Sequence, residues 1–320
     1  EPVLRDMLTV ASVEGEVFTA EVVARVLGAD EALLTRSLSH QLSRRHRLVR
    51  ASGEVEVGER YLSPYQFDHA LFQQYLYQQL DPGERRRLHA SVAGALEDLY
   101  GGQTDAIALQ LARHFEAARL PHQAVEYLRR AGEKAVRLSA PFEAVSLLNQ
   151  GLALLATLPT AEAQQTLRLQ LSLGEAQHMA GRLVEAMATF EAAATLAQQI
   201  GEAEAQAQAA LGYEESRWRF NLPADRSVAL LQQAQVALGP DEVVLHARLR
   251  VSLAQALMPV SPPQQFADLS QQALAIARRV GDPRTLFEAL YLVMRSDRRP
   301  ERAAGRRSAR TSRPRRRRSG

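Results

Sequence analysis

Helical periodicity is the feature that most constrains the fold of this chain of 320 residues. Through most of residues 84–294, apolar residues recur three and four positions apart, which places them on one face of an α-helix. Gly or Pro interrupts this pattern at short intervals and predicts where each helix ends. The interruptions fall at Gly101-Gly102, Pro121, Pro141, Pro159, Gly181, Gly201, Pro223, Gly239-Pro240, Pro262-Pro263 and Gly281-Pro283. The pattern predicts a mainly α protein in which short turns join antiparallel helices.

Small residues recur at equivalent points of successive helix pairs, which indicates an internal repeat. A tetratricopeptide unit has a large–small pair on its first helix and an Ala-x3-Phe-x2-Ala spacing on its second, because closely crossing helices leave room only for Gly or Ala. Leu173-Gly174 followed by Ala186, Phe190 and Ala193 fits this spacing. Degenerate copies begin at Leu111-Ala112, Leu211-Gly212 and Leu253-Ala254. We therefore predict a tetratricopeptide-like α-solenoid of about ten helices over residues 103–294.

The first 80 residues follow a different pattern. Helices are predicted over Val3–Val13 and, with Thr19 as N-cap, over Ala20–Leu27. Asp30 is predicted to cap a third helix that runs to about His46. One face of this third helix is predicted to carry Leu33, Leu34, Leu38 and Leu42.

A β-hairpin is predicted after these helices, with strands at Leu48-Val49 and Tyr61–Phe67 and glycines in the turn between them. Three helices and a hairpin form a winged helix, which we predict for residues 1–80. A further helix at Ala70–Leu80 belongs to the same segment. Residues 81–102 are predicted as a helix that connects this domain to the solenoid.

The formal net charge of +3 is unevenly distributed. Residues 295–320 contain twelve Arg against one Asp and one Glu, a net of +10, which leaves −7 for residues 1–294. From Ser296 onward no residue is more apolar than Ala, so a disordered Arg-rich tail is predicted over 295–320. Such a tail would bind nucleic acid weakly and without sequence preference. The helical pattern stops abruptly where the tail begins, so a frameshift origin is the alternative to a genuine tail.

Composition and motifs exclude several classes of function. The chain has no Cys, which rules out disulfides, thiolate metal sites and a Cys nucleophile. No apolar run is long enough to span a bilayer and no signal peptide is recognisable, so we expect a cytoplasmic protein without membrane contact. Lys134, the only lysine, lacks the surroundings of a phosphate-binding loop, and other enzyme motifs are missing. We expect a non-enzymatic chain without its own cofactor or metal.

The segment Tyr65–Tyr100 resembles the junction between the winged helix and the helical repeats of bacterial STAND-type signalling ATPases. It reads YQFDHALFQQYLYQQLDPGERRRLHASVAGALEDLY. The matching positions are Phe67, His69, Ala70, Leu71, Tyr75 and Tyr77, then Arg86 or Arg87, Leu88, His89, Ala93, Leu96 and Glu97. The following residues, Gln110 to Leu155, are similar to the first repeats of that family. The resemblance covers roughly residues 1–294.

This resemblance implies that the chain is part of a longer protein whose ATP- or ADP-binding domain it lacks. His69 matches by position a histidine that contacts the β-phosphate of ADP in related ATPases, so the same contact is implied in a longer parent. The alternative is a histidine hydrogen-bonded locally at the start of a helix. The implied partners are the nucleotide-binding domain of the parent and a protein or small effector on the concave face of the solenoid.

Three aromatic residues are candidates for partner binding, because aromatic side chains make good anchors. They are Tyr213, Trp218 and Phe220. The alternative is that they pack in the core beside the loop that follows them.

Four arginines on or just after the third helix are candidates for DNA contacts, since Arg pairs with guanine edges in the major groove. They are Arg36, Arg44, Arg45 and Arg47. Their alternative role is to complement the negative end of the helix dipole. The remaining histidines, His114 and His122 among them, are predicted to be surface or capping groups.

The function expected from these patterns is a regulatory or sensor module of a STAND-type ATPase. In such a module the repeats bind a partner and the winged helix relays binding to the nucleotide domain. One alternative is a DNA-binding transcriptional regulator of the LuxR or maltose-regulator type. Another is the regulatory fragment of a multidomain adenylate cyclase.

Overall fold

The computed structural model describes residues 2–158, 162–220, 222–239 and 243–297. The predicted mainly α fold is confirmed, since helices account for most of these residues. The chain divides into two compact units, Glu1–Ala161 and Glu162–Gly320. The predicted Arg-rich tail lies outside the described residues, apart from its first three positions at the end of a helix.

The first unit combines helices with short strands. Its helices are α1 (Pro2–Glu14), α2 (Ala20–Leu27), α3 (Glu31–Ser37), α4 (Ala70–Gln79), α5 (Pro82–Tyr100), α6 (Ala108–Ala117), α7 (Pro121–Arg137) and α8 (Pro141–Ala156). Its strands are β1 (Val17–Thr19), β2 (Val49–Ala51), β3 (Val55–Val57), β4 (Arg60–Leu62) and β5 (Pro64–Phe67).

The strands form two small antiparallel sheets. β5 lies in the centre of a three-stranded sheet of order β1-β5-β2, with Phe18 opposite Tyr65 and Arg50 opposite Gln66. β3 and β4, which follow β2 and precede β5 in the sequence, pair with each other in the second sheet. The predicted hairpin is therefore present, and its turn contains a second, shorter hairpin. The sequence pattern did not predict β1, which is only three residues long.

The third helix starts as predicted but changes its geometry. The Asp30 side chain accepts a hydrogen bond from the Leu33 amide at 2.9 Å, which confirms the cap. The helix is α-helical to Ser37 and π-helical over Leu38–Arg45. Leu34, Leu38 and Leu42 are buried, but Leu33 is exposed, so its predicted place on that face is wrong. Leu33 lies about 100° around the helix from Leu34, away from the face that positions four residues apart share.

The predicted capping role of Thr19 is wrong. Thr19 occupies the position before α2, but its side chain makes no capping hydrogen bond. Its hydroxyl and its backbone amide both donate to the Glu14 carboxyl group, at 2.8 and 3.0 Å. Thr19 therefore ties β1 to the end of α1, where it fixes a buried acid.

One continuous hydrophobic core extends from α1 to α8 in the first unit. The helix α5 buries one side of its length in this core through Leu88, Val92, Leu96 and Leu99. The predicted boundaries after residues 80 and 102 both lie inside this unit.

The second unit consists of helices. They are α9 (Ala163–Met179), α10 (Leu183–Ile200), α11 (Ala203–Phe220), α12 (Asp225–Ala237), α13 (Val243–Leu257), α14 (Pro263–Val280) and α15 (Pro283–Asp297). Each packs mainly on the helix before it and the helix after it. Such nearest-neighbour packing is characteristic of helical repeats.

Small residues occur where neighbouring helices cross, as the repeat pattern predicted. In the second unit the buried ring of Phe190 lies against Gly174 of α9 and Gly212 of α11. A Cβ atom at either glycine would lie within 2.7 Å of a ring carbon. In the first unit, Gly132 of α7 admits Leu148 of α8 in the same way. Close crossing therefore depends on these glycines.

The odd-numbered helices of the second unit lie next to one another. α9 contacts α11, α11 contacts α13, and α13 contacts α15. Among the described residues, α10, α12 and α14 make no comparable contacts with each other. Because helices on the inner side of a curved stack lie closer together, the odd-numbered helices form the concave side of this unit.

Candidate binding sites

An open pocket of about 840 Å³ lies in the first unit. Its lining comes from α1, β1, the helices α5 to α8 and the 3₁₀ segment Gly101–Ile107. Apolar side chains such as Val17, Ala131 and Leu147 form much of the wall. Small-molecule sites have volumes of about 300–1,000 Å³ and place a few polar groups among apolar ones. The size and lining of this pocket fit a small ligand.

Two histidines of the pocket form a buried chain with a tyrosine. His89 Nδ1 of α5 lies 2.9 Å from His114 Nδ1 of α6, and the Tyr77 hydroxyl lies 2.9 Å from His89 Nε2. Burial, with a smaller contribution from the charge of a protonated His89, lowers the pKa of His114 to about 3. Burial and the nearby Arg85 also lower the pKa of His89. Both imidazoles are therefore neutral at pH 7, one donating to the other.

The surface role predicted for His114 is thus wrong. A helical signal was present in the sequence, because His114 lies three residues after Leu111 and immediately before Phe115, both of which are buried. Its partner His89 is 25 residues away along the chain.

Glu14 is the third buried ionisable group of this pocket. Burial raises its pKa to about 8, although the hydrogen bonds from Thr19 act in the opposite direction. Burial, and then the charge of Glu14, raise the pKa of Tyr100, which also lines the pocket. At pH 7, Glu14 and Tyr100 are therefore mostly uncharged, and neither needs a counter-ion in the pocket.

Charged residues at the rim are held by neighbouring groups. Asp105 accepts from Arg130 Nε at 2.7 Å and from Arg137 at 3.3 Å. Lys134 donates to the Ala106 carbonyl at 2.8 Å. These contacts join α7 to the segment before α6. Across the described ranges, no three His, Asp or Glu side chains come together in a way that could hold a metal ion.

The concave side of the second unit is a separate candidate surface. Exposed polar side chains there include Arg168 of α9 and Gln208 and Arg219 of α11. His178 of α9 lies 2.9 Å from the Ser216 hydroxyl of α11. The pKa of His178 is lowered by burial first and by Arg219 second.

A charged cluster connects three helices on this concave side. Glu215 of α11 accepts from Arg284 of α15 and lies 3.9 Å from Arg248 of α13. Arg284 also donates to Glu288, one turn further along α15. The concave surface is therefore polar, and side chains from different helices fix its shape.

The three candidate aromatic residues belong to different surroundings. Tyr213 is partly buried against the cluster shared by α10, α11 and α12, and burial raises its pKa. Trp218 packs against the α13–α15 cluster, and the guanidinium of Arg295 lies 6.0 Å from its ring centroid. The side chain of Phe220 lies outside the described residues. A role of these residues in partner binding stays a prediction.

Sequence reasoning missed a buried ion pair on α11. Glu214 and Arg217 are each 1% exposed, and two hydrogen bonds of 2.6 and 2.7 Å join them. Ser227 of α12 donates to Glu214, and Arg217 donates to the Leu222 carbonyl. The pair thus joins α11 to Leu222 and to Ser227 of α12. The three-residue spacing of Glu214 and Arg217, which places them on one side of a largely buried helix, was the sequence signal that could have revealed the pair.

His69 and the four candidate arginines are all exposed. His69 immediately precedes α4 and makes no capping hydrogen bond. Its ring centroid lies 5.9 Å from that of Phe72. Arg36 lies on α3, Arg44 and Arg45 end the π-helical segment, and Arg47 follows it. The predicted contacts of these side chains with nucleotide or DNA stay predictions.

The described helices include none of the length and apolar character that a bilayer crossing requires.

The packing of each helix on its sequence neighbours gives this chain a tetratricopeptide-like arrangement of helices. No family model and no curated protein matches the chain. One solved structure that matches is a Signal Transduction ATPase with Numerous Domains (STAND) protein with a tetratricopeptide repeat sensor, from Pyrococcus horikoshii. It is 10% identical, with a TM-score of 0.42 over 91% of this chain. The chain spans 47% of that protein, about half its length.

Proposed function

We propose that this chain is a non-enzymatic regulatory module of a cytoplasmic signalling ATPase. Its helical repeats bind a protein or a small effector, and an N-terminal winged helix relays that binding to a nucleotide-binding domain. ATP or ADP binds that domain in the longer protein, where His69 contacts the phosphate. The mechanism is a shift between docked and released arrangements of the nucleotide domain.

The observation that carries this proposal is the concave polar side of the second unit. The odd-numbered helices create an extended surface there, and hydrogen bonds such as His178–Ser216 connect one of them to the next. Surfaces of this kind bind peptides and proteins in helical-repeat proteins. The pocket of the first unit, at about 840 Å³, is the corresponding place for a small effector.

The winged-helix assignment for residues 1–80 is supported by the order of the elements. A helix, a strand and two helical segments precede a strand, a short hairpin and a final strand. The final strand pairs with both of the others. In this arrangement the short β3–β4 hairpin is the wing.

Affinity capture from an extract of the source cell tests the concave surface. The immobilised chain is compared with a variant in which Arg168→Glu and Arg219→Glu reverse two exposed charges on the odd-numbered helices α9 and α11. The matched control reverses Arg278 and Arg279, which are exposed on the even-numbered helix α14. We expect one partner to be retained by the wild type and the control and lost by the concave-side variant.

Equal retention by all three proteins would contradict binding through the concave side. ATP hydrolysis by the purified chain would contradict the non-enzymatic assignment. DNA binding is measured by fluorescence anisotropy at two salt concentrations, because contacts with phosphates weaken steeply with salt. Tight binding that persists at high salt for one sequence would favour a transcriptional regulator instead.

A further inference from the structure

The pocket of the first unit contains polar groups for which the described residues supply no partner. His114 is 4% exposed, yet it lines the pocket. Its Nδ1 is bonded to His89, whereas its Nε2 makes no hydrogen bond to a described residue. Tyr100 also lines the pocket, and its hydroxyl makes no hydrogen bond within the described part of the chain. Because buried polar atoms nearly always have a partner, a ligand in this pocket would supply the missing ones.

Glu14 adds a carboxyl group that can form further hydrogen bonds. Each of its oxygens accepts one hydrogen bond from Thr19, and a carboxyl oxygen has two acceptor sites. When the group is protonated, it also has one O–H to donate. Glu14 lies near Tyr100, because its charge contributes to the raised pKa of that residue. The carboxyl group and the phenol therefore offer donors and acceptors close to each other.

The interior of the pocket carries no net charge at neutral pH. The Nδ1 atoms of His89 and His114 are 2.9 Å apart, so one donates to the other and the two rings cannot both be protonated. Glu14 has no ion-pair partner among the described residues, and burial raises its pKa to about 8. A charged head group would lose its hydration here without meeting a fixed opposite charge.

The walls of the pocket favour a ligand with an apolar body. Side chains such as Val17, Ile107 and Leu147 form them, around a volume of about 840 Å³. Of the Lys and Arg side chains in the lining, Lys134 donates to a backbone carbonyl and Arg113 is exposed to solvent. The polar groups of the interior therefore determine the chemistry of the head group.

We propose that this pocket binds an uncharged small molecule with an apolar body and a head group that both donates and accepts hydrogen bonds, such as a primary amide. The head group bonds to the Glu14 carboxyl and the Tyr100 hydroxyl. His114 Nε2 serves as donor or acceptor for a further polar atom. This assignment rests on the part of the proposed function that places a small effector in this pocket, and it names the chemical class of that effector.

Three naphthalene derivatives with the same aromatic body test the assignment by the charge of the head group. Naphthaleneacetamide is neutral, naphthaleneacetate is an anion and naphthylethylamine is a cation. Saturation-transfer difference NMR at pH 7 measures the binding of each to the full chain. We expect a dissociation constant of about 0.1–1 mM for the amide, which is usual for a ligand of this size. The two ions should bind about tenfold more weakly or not at all.

The ring NMR signals of the histidines show where the amide binds. Those of His114 should shift when the amide is added, because this ring lines the pocket. The matched control is His40, which is exposed and lies outside the pocket lining, so its ring signals should stay unchanged.

Two substitutions in the pocket separate a neutral ligand from a cation. Tyr100→Phe removes only the hydroxyl and should weaken the binding of the amide about fivefold. The matched control is Tyr61→Phe on β4, where the side chain is 65% exposed and outside the pocket lining, and it should bind like the wild type. Glu14→Gln keeps a neutral donor and acceptor, so the amide should bind within about twofold of the wild type, whereas a cation paired with Glu14 would lose its binding. Circular dichroism confirms that each variant remains folded.

Stronger binding of either ion than of the amide overturns the proposal, and so does an amide that fails to bind at roughly 5 mM. An amide that binds without shifting the His114 signals, or that binds Tyr100→Phe as tightly as the wild type, does not use these polar groups and overturns it as well. None of these results changes the outcome expected for affinity capture at the concave side. Failure of this assignment and failure of the proposed function are therefore distinguishable.

Discussion

Replacing Gly212 by alanine tests whether the close crossing of helices depends on the glycines around Phe190. The added Cβ would lie 2.5 Å from the nearest ring carbon of Phe190. Carbon atoms pack at about 3.5–4.0 Å, so the ring would have to move by about 1 Å. It cannot move freely towards α9, because the Cβ position of Gly174 is already 2.7 Å from the same ring.

Two opposing effects determine the size of the change. Overpacking a well-filled core costs about 1–3 kcal/mol. Alanine in the middle of a helix gains about 1 kcal/mol over glycine. Because the ring is confined on both sides, we expect overpacking to be the larger effect and Gly212→Ala to lower the free energy of unfolding by about 1–2 kcal/mol.

Urea denaturation followed by circular dichroism measures this change, and the fluorescence of Trp218 follows the second unit. Phe190→Leu is combined with Gly212→Ala in a double-mutant cycle, because the smaller side chain relieves the overlap. The double variant should be more stable than the sum of the single effects predicts, by about 1 kcal/mol or more.

The matched control is Gly94→Ala in α5, where a Cβ would meet no atom within 4 Å. This variant should be stabilised by up to about 1 kcal/mol through helix propensity alone. If Gly212→Ala is stabilised as much as Gly94→Ala, or if the cycle is additive, the argument for close crossing at Phe190 fails.

Three further predictions concern the buried ionisable groups. The Glu14 carboxyl has its pKa raised from 4.5 to about 8, so the fold favours its protonated form. The free energy of unfolding of the wild type should therefore fall between pH 4.5 and 8, by on the order of 5 kcal/mol more than that of Glu14→Gln. Urea titrations at several pH values measure the difference. His114, with its pKa lowered to about 3, should show no change of its ring NMR signals between pH 5 and 8. Arg217→Met leaves buried Glu214 unpaired and should cost about 3–5 kcal/mol by chemical denaturation, more than a double variant that also carries Glu214→Leu.

Each of these predictions has an outcome that would contradict it. A wild type and a Glu14→Gln variant with parallel pH profiles would show that Glu14 is ionised throughout in the folded protein. Titration of His114 near pH 6 would place its ring in solvent. Equal losses for the single and double variants at the ion pair would mean that Arg217 contributes through its contact with the Leu222 carbonyl rather than through Glu214.

The local patterns in the sequence predicted the helices well, because their causes lie within a few residues. The spacing of apolar residues indicated the helices, and Asp30 identified a cap that the structure confirms. The large–small pair Leu173-Gly174 predicted where helices cross, because only the absence of a side chain permits that distance. Thr19 shows the limit of such rules, since its hydroxyl binds Glu14 rather than the helix it precedes.

The sequence by itself therefore determined the mainly α class and the helical repeat. It did not determine the polar interior, because that depends on groups from different helices meeting in space. His89 and His114 look like ordinary helix residues until α5 and α6 pack and join them. Glu14 and Arg217 look like surface charges until burial changes the pKa of one and pairs the other. Only the tertiary structure decides these features, since the free energy of a charge depends on its removal from water.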